Sequence, residues 1–358
     1  MVGLLRLGTN SEMIIMKYGF LLILIFFLST CRTSKQSMES RMVGKTMGTR
    51  YQVKISQLHI SDENLNLLKH KIDSVLIDVN HQMSTYDPKS EISQFNDFAD
   101  TSVFRVSASF GYVVQRAMEI NRQSEGYFDI TVAPLVDLWG FGKKGHILQP
   151  PTEEKVRSLR KKVGSGHLTI VDSTHLKKDI PELELDLGAI AKGYGVDAVA
   201  RYLLSAGYDN FLVEIGGEVV ARGVNARNEL WKVGIDRPQF SALPGEDIQG
   251  ILKLKDIAVA TSGDYRNYFE HQGKQFSHTI DPFTGYPVTH DLASVTIIAD
   301  NCTWADGLAT AVMAMGREKG LPWIEAIPRV EALLIVRREA GIYREFQTEG
   351  FGNFIVEE

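Results

Sequence analysis

The chain has 358 residues, 44% of them hydrophobic and 23% charged, with a formal net charge of -5. That length holds one large domain or two ordinary ones, and the composition is ordinary for a soluble enzyme. No long basic run is present, which argues against nucleic acid as a partner.

The first feature in chain order is an apolar run, residues 18–28, behind Lys17. A membrane-spanning helix needs roughly 20 apolar residues, so this shorter run reads as the core of a signal peptide. Leu28-Ser29-Thr30-Cys31 follows and resembles a bacterial lipobox, with Thr30 departing from the usual Gly, Ala or Ser. The expected arrangement is a signal peptide over 1–31, a lipid on Cys31 and a polar tether over 32–42. That would make a membrane-anchored lipoprotein facing the periplasm; an ordinary signal sequence or a membrane anchor is the alternative. Cys302 is the second of two cysteines. With Cys31 lipidated it has no disulfide partner, and without a local activating group it reads as a small buried apolar residue.

Residues 49–55 alternate and predict a strand. Ser61 can cap a helix whose stripe is Leu65, Leu68, Ile72, Val75, Leu76 and Val79, ending near the polar loop 83–88. Residues 110–123 predict a second helix, 126–134 an extended segment, and the Gly-, Lys- and Pro-rich 140–166 a surface excursion. The alternating run Leu183-Glu184-Leu185-Asp186 predicts a strand. Val196, Val199, Ala200 and Leu203 place a helix after it, stopped by Gly207. Residues 211–220 read as a strand interrupted by Gly216-Gly217. Residues 231–235 and 250–260 continue the β pattern around a loop at 238–250. Residues 292–298 lead into a helix at 304–315, and 332–347 form a hairpin. Strands and helices mix without strict βαβ alternation, so the expected class is α+β with mainly antiparallel sheet. No linker divides residues 43–358, which are expected to form one domain.

Three clusters carry chemistry. The first is the junction Asp186-Leu-Gly-Ala-Ile-Ala-Lys-Gly193: one carboxylate, one amine and approachable backbone at a helix start. Such a junction suits a phosphate or metal-phosphate ligand, because helix N-terminal amides point at anions. Its glycine spacing excludes the two common nucleotide loops. Lys192 begins the apolar stripe, so it needs an anionic partner or a snorkelling path. Asp186 can bind a ligand or cap the following helix.

The second cluster pairs Asp306 with Thr310, four residues apart and hence on one helical face. A carboxylate plus a hydroxyl suits Mg²⁺; Thr303-x-x-Asp306 also fits a capping-box-like start. The third is His278, ahead of a turn marked by Pro282 and Gly285. It can act as a general base or phosphate contact, or be structural. Gly216-Gly217 permits close approach of a ligand or forms a bulge. Tyr86, Tyr127 and Phe128 can stack on a planar ring or sit in the core.

Seven segments in order resemble the ApbE family, the FAD:protein FMN transferases: MGTRY at 47–51, MSTYDPKSEIS at 83–93, GYFDITVAPLVDLWGFG at 126–142, DLGAIAKGYGVD at 186–197, EIGGEV at 214–219, SHTIDPFTGYP at 277–287 and DGLATAVMAMG at 306–316. The resemblance implies a single T-fold-like α+β domain that uses FAD and Mg²⁺. It implies FAD contacts from Met47, Tyr86, Tyr127, Phe128, Asp129, Asp186, Lys192 and Ile280. It implies a cation held by the Ala189 carbonyl, Asp306 and Thr310. The implied reaction joins FMN to a Thr or Ser hydroxyl of a target flavoprotein and releases AMP, with Asp306 and His278 as the catalytic residues. Flavoprotein subunits of membrane respiratory complexes of the Nqr or Rnf type are the implied acceptors. A Mg²⁺-dependent FAD pyrophosphatase and a non-catalytic flavin-binding lipoprotein remain the alternatives.

Overall fold

A computed structural model describes residues 38–356 except 58–59, 241–244, 266 and 339–341. The readings of a signal peptide, of Cys31 and of residues 32–37 lie outside the described residues. β1 (Met38–Thr46) pairs in antiparallel register with β2 (Thr49–Gln57). Met38–Met42, expected in the tether, therefore belong to a sheet. Met42 fills the core beside Tyr51 and Val53, which gives this stretch an apolar reason to pair.

Ser61 caps α1 (Asp62–Met83) by accepting from the Asn64 N–H, and Leu68, Ile72, Leu76 and Val79 bury its stripe as expected. Next come α2 (Glu91–Asp97), β3 (Phe104–Arg105) and α3 (Ala108–Gln123), the last capped by Ser107. Residues 126–134 are not extended throughout. Asp129 caps a 3₁₀ turn, Ile130–Val132, which runs into α4 (Ala133–Leu138) with a proline at its start, where a missing N–H costs little. The expected excursion 140–166 contains α5 (Glu153–Arg160), started by Thr152 and by Glu153 and Glu154 in its first turn. β4 (Leu168–Asp172) and β3 then pair with opposite edges of β5 (His175–Lys178) in a small sheet.

Residues 183–186 are not a strand. Their alternation is real, since Leu183, Leu185 and Leu187 are fully buried. The backbone, however, is held by side chains rather than by a sheet. Asn96 bonds both the N–H and the carbonyl of Leu185, and buried Lys178 donates to the carbonyls of Phe95, Asn96 and Leu183. α6 (Ala191–Ser205) follows, with Val196, Val199, Ala200 and Leu203 buried.

β6 (Phe211–Ile215) and β7 (Glu218–Arg222) form a hairpin rather than an interrupted strand. Gly216 and Gly217 both have positive φ, as a two-residue hairpin loop requires. β8 (Trp231–Asp236) pairs with β9 (Ile248–Leu254) as a separate ribbon. β10 (Ile257–Gly263), the hairpin β11 (Tyr268–His271) and β12 (Lys274–Ser277), and β13 (Leu292–Ala299) follow. α7 (Cys302–Met315), α8 (Arg317–Glu325), β14 (Glu331–Arg337) and β15 (Tyr343–Gln347) complete the chain.

The central sheet has the order β1-β2-β6-β7-β10-β13-β14-β15, antiparallel throughout. Both of its faces are covered. Val295, Ile297 and Ala299 pack with Leu308, Ala311 and Val312 of α7 and with α3, while Ile298, Leu333 and Ile335 pack with Trp231, Leu252 and Phe351. Two-sided burial explains why all eight residues of β13 are inaccessible. Residues 38 onward form one compact α+β unit, as expected. Among the described residues no helix is long and apolar enough to cross a membrane.

Candidate active site

One end of this fold encloses a cavity of about 850 Å³, within the range of roughly 300–1,000 Å³ usual for small-molecule sites. Two tight turns help form its wall: Met47-Gly48 between β1 and β2, and Gly216-Gly217 between β6 and β7. Because β2 and β6 are neighbours, the two turns lie side by side, joined by the Gly216 N–H donating to the Arg50 carbonyl. Further walls come from the ends of α1, β8 and β10, the start of α6 with the residues before it, one face of α7, the loop after α1, residues 127–130 and residues 278–280. Every residue proposed from the sequence reaches this cavity: Met47, Tyr86, Tyr127, Phe128, Asp129, Asp186, Ala189, Lys192, His278, Ile280, Asp306 and Thr310.

The starts of α6 and α7 are stitched together reciprocally. Asp197 of α6 accepts from the Cys302 and Thr303 amides at 2.9 and 2.8 Å and from the Thr303 hydroxyl at 2.5 Å. Asn301 accepts from the Trp304 amide. These bonds satisfy three orphan amides of α7 without Asp306, so the capping-box reading of Thr303 and Asp306 does not hold. Asp306 instead reaches across to α6, where its Oδ2 accepts from the Gly193 N–H at 2.9 Å. The helix amide expected to face an anion thus faces a carboxylate of the chain itself. Gly193 is required by this approach, because a Cβ there would collide with the Cys302 carbonyl. Burial pushes the Asp306 carboxyl up, against the pull of the Lys192 ammonium.

Lys192 does not snorkel; its ammonium donates to Glu218 Oε1 at 2.6 Å. Burial works against its charge, but the Glu218 and Asp306 carboxylates outweigh that and raise its pKa. Glu218 is 1% exposed, and burial pushes its carboxyl up while the Lys192 ammonium pulls it down. One helical turn beyond Asp306, Thr310 Oγ1 lies 3.2 Å from Ser262 Oγ of β10.

The β11–β12 hairpin sets His278 opposite Asn267, whose carbonyl lies 3.0 Å from Nδ1. A carbonyl only accepts, so Nδ1 carries the proton and Nε2 keeps a lone pair. Burial lowers the His278 pKa and favours the neutral ring. Asp186 does not cap α6; its Oδ1 accepts from the Gly188 N–H in a local turn, and burial raises its pKa. Asp129 accepts from the Thr131 N–H and hydroxyl and from the Ser165 N–H, so it also shapes the wall. Tyr86 is 69% exposed at the rim, Phe128 is buried, and Tyr127 packs edge-on against Phe283 with its hydroxyl bonded to Lys319. Cys302 is buried, with its thiol pushed well up by burial, as a structural residue would be.

The profile of the ApbE family matches residues 47–334. The chain belongs to the ApbE family. It is 42% identical to the FAD:protein FMN transferase of Vibrio cholerae, over 94% of this chain and 99% of that protein. It is 38% identical to the protein of that name from Haemophilus influenzae, over 88% and 91%. Among solved structures, the flavin transferase ApbE of Vibrio cholerae superposes with a TM-score of 0.80 at 42% identity, covering 89% of this chain and 99% of that one. The ApbE protein of Thermotoga maritima gives 0.78 at 29% identity, covering 89% and 100%.

Within this ApbE-family site, sequence reasoning missed Glu218, Asp197 and Ser262. Glu218 had a signal: it is an acidic residue that opens a strand directly after two glycines and ahead of Val219, Val220 and Ala221. Asp197, five residues after Lys192, gave none beyond its place in the quoted motif.

Proposed function

We propose that this protein transfers FMN from FAD to a Thr or Ser hydroxyl of a target flavoprotein. The observation that carries the reading is the convergence of Lys192 of α6, His278, and Asp306 and Thr310 of α7 on one cavity of nucleotide size. The relatives that bear the transferase name cover nearly the whole chain. In the reaction the acceptor oxygen bonds to the FMN-side phosphorus, the bond to the AMP phosphate breaks, and AMP departs with the electron pair. His278 Nε2 takes the hydroxyl proton, its free lone pair being set by the Nδ1 bond to Asn267. Met47, Tyr86, Tyr127, Phe128, Asp129, Asp186, Lys192 and Ile280 contact FAD, with the aromatic rings at the rim suited to the isoalloxazine.

The donor set fits Mg²⁺. Asp306 commits one oxygen to Gly193 and, among the described residues, leaves the other without a partner. Thr310 and the Ala189 carbonyl add neutral oxygens on the same cavity wall. Among the described residues no three His, Cys, Asp or Glu side chains gather as a metal site. A cation held by one carboxylate plus substrate phosphates matches the habit of Mg²⁺. Bound there, Mg²⁺ would neutralise the pyrophosphate and favour in-line attack. The lipid on Cys31 would place the enzyme at a membrane facing the periplasm. There, Nqr- or Rnf-type flavoprotein subunits are the proposed acceptors.

Asp306→Ala tests the assignment. FAD binding, read by quenching of flavin fluorescence, is expected to persist, while Mg²⁺-dependent AMP release is lost. Full AMP release in that variant contradicts the cation assignment.

A further inference from the structure

Lys192 stands near two buried carboxylates and bonds only one of them. Its ammonium meets Glu218 Oε1 at 2.6 Å, while Asp306 takes its hydrogen bond from the Gly193 amide. Both carboxylates lie close enough to act electrostatically on the ammonium. Glu218 is placed at cost: it is 1% exposed, and its second oxygen, Oε2, is buried without a hydrogen-bond partner among the described residues. Burying a carboxylate is unfavourable unless it is paired. The chain nevertheless puts one at the first position of β7, fixed by the Gly216-Gly217 turn and the β6–β7 register. A lysine ammonium on its four-carbon stem reaches any anion within its sweep. Among the described residues, Glu218 and Asp306 are the carboxylates that act on Lys192, so removal of the Glu218 charge leaves Asp306.

We infer that Glu218 is a positioning residue that holds Lys192 off Asp306 and so keeps the Asp306 carboxylate open to a divalent cation. This rests on the reading above that Asp306 holds the cation. An ammonium seated on Asp306 would have to be displaced before a cation could enter. The same pairing keeps the positive charge of Lys192 at the cavity wall, where a phosphate would meet it, without spending the cation's ligand on it. Glu218 touches no substrate in this scheme and acts wholly through Lys192.

The test is a titration of the full chain with Mn²⁺ alone, free Mn²⁺ being read by electron paramagnetic resonance. Glu218→Gln keeps the shape and removes the charge. It is expected to weaken Mn²⁺ binding about tenfold, the scale of one charge-assisted contact. The double variant Glu218→Gln with Lys192→Met removes the competitor and is expected to restore wild-type affinity. A merely structural role for Glu218 would leave the double variant as weak as the single one, and that result overturns the inference, as does unchanged binding in Glu218→Gln. Lys192→Met alone keeps the question open to test if Glu218→Gln fails to fold. Its Mn²⁺ affinity is expected to match or exceed that of the wild type, and a loss overturns the inference. Asp306→Ala separates the two levels: if wild type and this variant bind Mn²⁺ equally, the cation reading falls and the inference falls with it.

Discussion

Asp306 and His278 each keep one polar atom uncommitted among the described residues, and each is held by a backbone group through the other atom. For His278 this arrangement has a pH signature. Burial lowers its pKa, so the base form dominates at neutral pH. The acid limb of kcat/KM is therefore expected below the ordinary histidine value of about 6.5. The sign for stability agrees: a histidine kept neutral by the fold stabilises above about pH 6.5, and that contribution is lost as the pH falls below it. A pH–rate profile measured at saturating Mg²⁺ checks this, and a limb above 6.5 contradicts the assignment. His278→Ala is expected to cut kcat by about 10²–10⁴, the usual contribution of a general base.

Helices α6 and α7 are docked by polar bonds at their starts, and their contact leaves no room for a side chain at Gly193. Gly193→Ala is expected to destabilise the fold by about 1–3 kcal/mol through overpacking, seen as a lower urea midpoint, and to displace Asp306 enough to weaken cation use. Lys178 is a second such point. Its ammonium is the donor to three buried carbonyls that hold residues 95–96 against 183. Lys178→Met is expected to cost at least about 2 kcal/mol, since those acceptors would lose their donor. It should also raise KM for FAD, because residues 183–186 carry Asp186 to the cavity wall, and unchanged KM would limit the role of Lys178 to stability.

Elements with a strong periodic face were legible in the sequence: α1 from its six-residue stripe and Ser61 cap, α3, α6, and the strands β2, β8 and β13. Segments shaped by distant side chains were not. The alternation of Leu183, Leu185 and Leu187 comes from burial against neighbours, and no local signal says that Asn96 and Lys178 replace a partner strand. For Gly216-Gly217 the open choice between a bulge and an approach site resolves as a hairpin turn that also lines the cavity. The site residues came mostly from the family motifs. Spacing alone brought Asp306 to Thr310 but could not bring either to Lys192, which depends on the packing of α6 on α7.

At the scale of the described fold, the eight-stranded sheet is buried on both faces, and two glycine-containing hairpin turns and two helix starts line the cavity. A site built from so many elements senses global stability, because loss of any one wall opens it to water. The most direct test of the transferase reading is the intact mass of an acceptor. The full chain is incubated with FAD, Mg²⁺ and a candidate flavoprotein subunit, and AMP is counted in the same reaction. An acceptor heavier by one FMN phosphoester, with one AMP per acceptor modified, is the predicted result. AMP and free FMN with every acceptor unmodified, or FAD bound and never cleaved, would contradict it.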